Sequence, residues 1–202
     1  MSKMRGQIGA AMEAGTLIRL TRTFEEGEVC GYVLDLGAEW FVLALVSDRI
    51  NFDGFECFRI EDTLTVEADP RVDFVEAALS ARSDSKPVRS PVSAASLPEL
   101  LSSANRAFPL VTFHKEALEP DLCQVGKVVG FADGEVWLHE IDPDAAWEDE
   151  AFPHLLTDIT RVNFGGGYEE ALNLVGGPAP AIDPQIGAPR GVDETPPFGT
   201  IH

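Results

Sequence analysis

The sequence predicts a mainly β protein with a few short helices, arranged as two tandem five-stranded barrel units that pack together. Three observations predict this class: the apolar runs are short and separated by Gly and Asp turns, one set of sequence blocks occurs twice, and a polar segment follows each set. The predicted divisions are 1–79 (first β unit with a C-terminal helix), 80–107 (polar linker and short helix), 108–174 (second β unit with a short helix) and 175–202 (extended Pro/Gly-rich tail).

The repeat consists of three pairs of blocks in the same order and at similar spacing. They are 31–46 with 126–141, 58–66 with 155–162, and the short helical phrases 75–79 with 168–172. Repeats of this kind indicate duplicated structural units. Because a five-stranded unit leaves unpaired edges, the two copies are expected to pack against each other.

The strands follow from apolar runs bounded by turn residues. In the first unit they are 17–23, 28–36, 40–46, 55–59 and 64–66, with turns at 25–27 and 37–39. In the second unit they are 110–114, 125–131, 136–141 and 159–162, with a turn at 132–134. The acidic stretch after Ile141 is predicted to be a loop.

Two helices are marked by their N-terminal residues. Asp69 followed by Pro70 predicts an N-cap and first turn ahead of an apolar face that ends at Leu79. Ser96-Leu-Pro-Glu99 reads as a capping box that starts a helix running to Ala107. The Ser-rich residues 81–96 before it are expected to be mobile, and the prolines after Val175 predict an unpacked tail.

Composition predicts a cytoplasmic protein that folds without disulfides or a membrane span. Among 202 residues, 45% are apolar, yet none of the runs approaches the roughly 20 apolar residues of a spanning helix. The N-terminal residues carry no cleavage pattern of an export signal. Cys30, Cys57 and Cys123 lack metal-type spacing and are expected to be free thiols.

The net charge of −19 bears on the class of partner. Acidic residues outnumber basic ones in both predicted β units, 1–79 and 108–174. Nucleic-acid affinity comes largely from Lys and Arg that neutralise phosphates, so direct nucleic-acid binding is disfavoured. A solvated acidic surface or a specific basic partner would account for the charge.

Five short strands in a meander, a short segment before them and a glycine in the second strand (Gly31, Gly126) resemble the Sm-like family of SH3-like barrels. The resemblance covers 16–66 and 110–162. Family members that bind RNA are similar to one another in an Asp-x-x-apolar-Asn phrase and an Arg-Gly phrase. Here 37–41 and 132–136 contain no Asn, Arg59 is not followed by Gly, and 156–158 contain no Arg. The resemblance therefore implies the barrel without its RNA pocket.

Catalytic and metal-binding patterns are not supported by spacing. His114, His139, His154 and Cys123 with the acidic run 148–150 do not follow the i, i+4 or Cys-x2-Cys spacing that holds two metal ligands on one element. Carboxylates in open loops lack the burial that separates acid from base. The glycines at 165–167 lack the Lys-Ser/Thr of a phosphate loop. The sequence thus predicts no catalytic residue, metal or cofactor.

The remaining candidate site is an acidic segment that contains a tryptophan. Its predicted partner-binding residues are Asp142, Asp144, Trp147, Glu148, Asp149 and Glu150. Trp147 would either fold back on the barrel or contact a partner. The leading hypothesis is a non-enzymatic protein-interaction module, a monomer or dimer, with an inhibitor of a basic partner as one form. An RNA-associated Sm-like module is the alternative, and a metal-dependent or carboxylate enzyme is the third.

Overall fold

The computed structural model describes residues 3–182, which form four α-helices and ten strands. The first half contains α1 (Lys3–Ala14), β1 (Ile18–Arg22), β2 (Glu25–Leu36), β3 (Trp40–Val46), β4 (Phe52–Arg59), β5 (Thr63–Ala68) and α2 (Val72–Ala81). The second contains α3 (Leu97–Ala107), β6 (Val111–His114), β7 (Cys123–Ala132), β8 (Glu135–Ile141), β9 (Trp147–Leu155), β10 (Arg161–Phe164) and α4 (Gly167–Gly176).

All ten strands belong to one open antiparallel sheet in the order β5-β1-β2-β3-β4-β10-β6-β7-β8-β9. With 40% strand and 27% helix, the prediction of a mainly β protein with a few short helices is confirmed. Two separately closed barrels are not what the structure shows. Instead β4 pairs with β10, with Phe55 opposite Phe164 and Phe58 opposite Arg161. This pairing, called the seam below, satisfies backbone groups that two separate units would leave exposed.

The two halves share their strand order and a glycine geometry. At Gly31 in β2, a Cβ atom would overlap the carbonyl oxygen of Ala44, and at Gly126 in β7 it would overlap that of His139. The third residue after each glycine, Leu34 or Val129, lies at a break in strand register, as in a β-bulge. In both halves the glycine therefore permits close approach of the second and third strands just before a bulge.

Helix α3 connects the two halves through the largest buried core. Its residues Leu100 and Leu101 pack with Val42 of the first half and Val162 of the second. The predicted helix is confirmed, because the Ser96 hydroxyl accepts a hydrogen bond from the Glu99 N–H at 3.3 Å and the helix ends at Ala107.

The end of the linker before α3 is packed, whereas none of the residues 81–91 is buried. Val92 and Ala94 are buried in the core shared by both halves. The Ala94 N–H donates to the Asp35 carboxylate at 2.7 Å, and Gly37 allows the Ala94 carbonyl to approach closely. The expectation of a mobile linker rested on its polar composition and missed these two small apolar side chains.

Several boundaries differ from the sequence prediction. The helix α1 was not predicted, since Gly6 and Gly9 weaken its pattern, although Ile8 is fully buried. Helix α2 begins at Val72 because the Asp69 carboxylate accepts from the Arg71 N–H, which forms a turn before the helix. Helix α4 extends to Gly176, into the predicted tail, and 183–202 lie outside the described residues.

No helix within 3–182 is both long and apolar enough to cross a bilayer.

Candidate functional site

The predicted partner-binding segment is a turn followed by an edge strand, not an open loop. The Asp142 carboxylate accepts hydrogen bonds from the N–H groups of Asp144 and Ala146, at 2.9 and 2.8 Å. Trp147 then begins β9, which pairs with β8 alone. The loop prediction holds for the turn at 142–146 and was wrong from Trp147 onward, because a bulge removes the alternating pattern by which a strand is recognised.

The acidic residues form this bulge. His139 lies opposite Ala151 and Ile141 lies opposite Trp147, so Glu148, Asp149 and Glu150 together face a single residue of β8. The backbone carbonyl of Glu148 is 2.7 Å from His139 Nε2, which is buried beneath it. All three acidic side chains are exposed, and none forms an ion pair within the described part of the chain.

Trp147 folds back onto the sheet. Its Nε1–H donates to the Gly176 carbonyl at 3.2 Å, and its ring centroid is 4.9 Å from that of His139. It packs with Ile141 and Leu172 in a small core at the end of α4. Trp147 therefore fixes the acidic bulge in place and presents only part of its surface to solvent.

The corresponding bulge of the first half is covered by the second half. There Asp53 and Gly54 lie opposite Leu45, because Ala44 pairs with Phe55 and Val46 pairs with Phe52. The Asp53 carboxylate accepts a hydrogen bond from the first N–H of α4, that of Gly167, at 2.8 Å. The Asp53 bulge thus receives a backbone donor from the second half, inside the sheet, whereas the matching bulge on the edge strand β9 faces solvent.

A second group of charged residues lies at the seam, and the sequence analysis did not predict it as a site. The Arg22 guanidinium donates two hydrogen bonds to the Glu116 carboxylate, at 3.0 and 2.7 Å, and stacks 4.3 Å over the Phe58 ring. Thr160 donates a further hydrogen bond to Glu116 at 2.8 Å. Burial alone would raise the pKa of Glu116, but these hydrogen bonds and the Arg22 charge hold it below the ordinary value.

Next to this pair, Arg161 of β10 lies between three carboxylates. Its guanidinium nitrogens are 3.8, 4.0 and 3.8 Å from oxygens of Glu25, Glu56 and Glu116. These distances are too long for hydrogen bonds. Glu56 accepts instead from the Asn163 side-chain amide at 3.1 Å, and burial raises the pKa of Glu56 to about 7 against the opposing charge of Arg161.

These residues border a cavity of about 260 Å³, called the seam cavity below. In register, Arg161 lies opposite His114 and His114 opposite Cys123. Directly paired residues share a face of a sheet, so the polar residues of four strands converge. The start of α4 borders the cavity on another side, where Thr112 donates to the buried Glu169 carboxylate at 2.6 Å. The polar side chains that line the cavity from these strands are those of Glu56, Thr112, His114, Cys123, Arg161 and Asn163.

A signal for this site exists in the sequence but is incomplete. Thr112-x-His114 and Arg161-x-Asn163 place two polar residues on one face of each short strand. That β4, β10 and β6 lie side by side follows only from the pairing across the seam, which no local pattern specifies.

The arrangement lacks the features of a nucleophilic site. Cys123 lies beside His114. Partial desolvation raises the pKa of the Cys123 thiol, although the residue is exposed, and burial lowers the pKa of His114 to about 4. A thiolate–imidazolium pair requires the opposite shifts. Within 3–182, no three His, Cys, Asp or Glu side chains are grouped so that they could hold a metal ion. His139 and His154 have separate partners, the Glu148 carbonyl and the Glu140 carboxylate.

A larger open groove of about 790 Å³ lies near the start of α3. Its lining includes Trp40, Leu97 and Leu156, together with Arg59, whose guanidinium is already paired with Asp62 at 2.5 Å. Because the arginine of this groove is already engaged in ion pairs, whereas Arg161 of the seam cavity makes no hydrogen bond to a described residue, the seam cavity is the better candidate for a polar ligand.

Comparison of the chain with protein-family models, with curated proteins and with solved structures found no match.

Proposed function

We propose that this protein is a non-catalytic interaction module that binds a basic partner protein along the edge strand β9. The proposal is carried by one observation: Glu148, Asp149 and Glu150 are exposed, held in a fixed bulge, and lie on a strand with one unpaired side. An unpaired strand can accept a strand from a partner through main-chain hydrogen bonds. Charge beside it selects the partner, since acidic strands are repelled and basic ones attracted.

The seam supports the proposed mode of binding. There the first half's edge strand β4 is covered by β10, and the bulge residue Asp53 receives the Gly167 N–H. A partner strand on β9 would place its own donors or cationic side chains against the equivalent bulge. An inhibitor that covers the basic surface of an enzyme is one form that such a module takes.

We also infer that the two halves are duplicated units of the Sm-like type that share one sheet. Each has a helix before its strands, the same strand order, and a glycine before a bulge between its second and third strands. If the resemblance extended to RNA association, single-stranded RNA would bind. The net charge of −19 argues against that alternative, and a gel-shift assay with single-stranded RNA tests it directly.

The experiment compares two triple variants with the same change in charge. Glu148→Lys, Asp149→Lys and Glu150→Lys reverse the bulge, whereas Glu13→Lys, Glu26→Lys and Asp48→Lys reverse three exposed carboxylates elsewhere. We expect the unmodified protein and the second variant to capture the same basic proteins from cell extract, in a salt-sensitive manner, and the bulge variant to lose them. Equal capture by both variants would show that general acidity, and not β9, attracts the partner.

A further inference from the structure

We propose that the seam cavity binds a small zwitterion of amino-acid size, with its carboxylate on Arg161 and its ammonium on Glu56. This site is separate from the β9 edge and does not depend on the function proposed above. The cavity of about 260 Å³ holds about eight or nine water-sized volumes, which suits a ligand with a similar number of heavy atoms.

The acceptor end of the ligand is assigned from Arg161. Its side chain is 19% exposed and borders both the seam cavity and a second cavity of about 200 Å³. Its terminal nitrogens make no direct hydrogen bond to any described residue, because the nearest carboxylates lie at 3.8 to 4.0 Å. A guanidinium has five donors in a planar fork that matches a carboxylate, so Arg161 is available for a bidentate contact.

The donor end is assigned from the acceptors in the lining. Glu56 accepts one hydrogen bond from Asn163, which leaves further acceptor capacity on the carboxylate. Asn163 Oδ1 and His114 Nε2 also have no hydrogen-bond partner among the described residues, but both atoms are buried from the cavity. The ammonium is therefore assigned to Glu56, which can accept from one of its three donors.

The local charge excludes ligands of a single sign. Arg22 and Arg161 lie among the acidic side chains of Glu25, Glu56 and Glu116, so a simple anion on Arg161 would also lie close to carboxyl groups. A simple cation would approach the Arg161 guanidinium. A zwitterion places each of its charges beside the opposite charge of the cavity.

The experiment uses glycine and L-serine as zwitterions, acetate as the anion and methylammonium as the cation. Cys123 borders the cavity and is exposed, so its rate of modification by a maleimide, followed by peptide mass, reports occupancy. We expect saturating glycine or serine to slow the modification of Cys123 at least threefold while Cys30 is unaffected. Acetate and methylammonium should leave both rates unchanged.

Two variants connect the effect to the proposed contacts. Arg161→Gln should abolish protection, whereas Arg59→Gln, which alters an arginine of similar exposure outside the cavity, should retain it. Should Arg161→Gln unfold the protein, Glu56→Gln keeps the shape of the side chain and should weaken glycine binding at least tenfold. Lack of protection by both zwitterions, or equal protection by acetate, would overturn the assignment.

Discussion

At the scale of single residues, Glu56 is a group whose protonation between pH 4.5 and 7 is altered by folding. It lies at the seam, is almost completely buried, and burial raises its pKa from 4.5 to about 7. The folded state therefore holds a proton on Glu56 that the unfolded chain releases above its lower pKa. Stability contributed by this group is greatest below pH 4.5 and is lost as the pH rises to 7.

Replacement of Glu56 by Gln should remove this pH dependence. The amide keeps the size and the hydrogen-bonding ability of the neutral carboxyl, so the variant should match the unmodified protein near pH 4. At pH 8 it should be more stable by up to about 3 kcal/mol, because the ionised form is no longer buried. Urea unfolding at pH 4, 6, 7 and 8 measures the difference. Glu26→Gln, which alters an exposed carboxylate, serves as the control, and a difference that does not vary with pH would contradict the assignment.

The neighbouring Arg22–Glu116 ion pair bears on the pairing of the two halves of the sheet. Its members come from β1 and from the segment after β6, and their hydrogen bonds join the two halves of the sheet. Buried ion pairs often add little net stability, yet loss of one partner is costly because the other charge remains buried. We therefore expect the pair to favour this pairing of the halves over others more than it stabilises the fold.

At the scale of elements, the glycines of β2 and β7 control how closely adjacent strands pack. Gly126→Ala should destabilise the protein by about 2 kcal/mol or more, because the new Cβ would overlap the backbone of His139, which cannot move as a side chain can. Gly130→Ala in the same strand should change the free energy of unfolding by less than about 0.5 kcal/mol, since no atom lies within 4 Å of its added Cβ. Chemical denaturation compares the two, and equal losses would show that strand propensity, not the close approach, sets the cost.

The elements differ in how far their sequence specifies them. Strand β3 and helix α3 begin and end where the sequence predicts, because a continuous apolar run and a capping box are local signals. Strand β9 was not predicted, because its first residues form an acidic bulge. Helix α1 was also missed, because the helix is stabilised by the packing of Ile8 on strands that are distant in sequence.

At the scale of the whole molecule, the polar site and the sheet both depend on one long-range pairing. The sequence indicated that two strand-rich halves exist, but β4 beside β10 brings Glu56, Asn163 and Arg161 together. The acidic composition of the predicted site on β9 is visible in the sequence. That this site lies on an unpaired edge could not be predicted, because the strand order decides which edges remain open.

The two open edges of the sheet, β5 and β9, make a final prediction about association between copies. Like charges discourage pairing between identical edges, and the acidic residues Glu148–Glu150 of β9 would repel a second copy of this acidic chain while leaving the edge open to a basic partner. Neutralising the bulge with Glu148→Ser, Asp149→Ser and Glu150→Ser should therefore increase self-association, measured by light scattering coupled to size-exclusion chromatography. The matched variant Glu13→Ser, Glu26→Ser, Asp48→Ser also removes three negative charges and should retain the size of the unmodified protein. Association by both variants would assign the protection to total charge, whereas association by the first alone assigns it to the edge of β9.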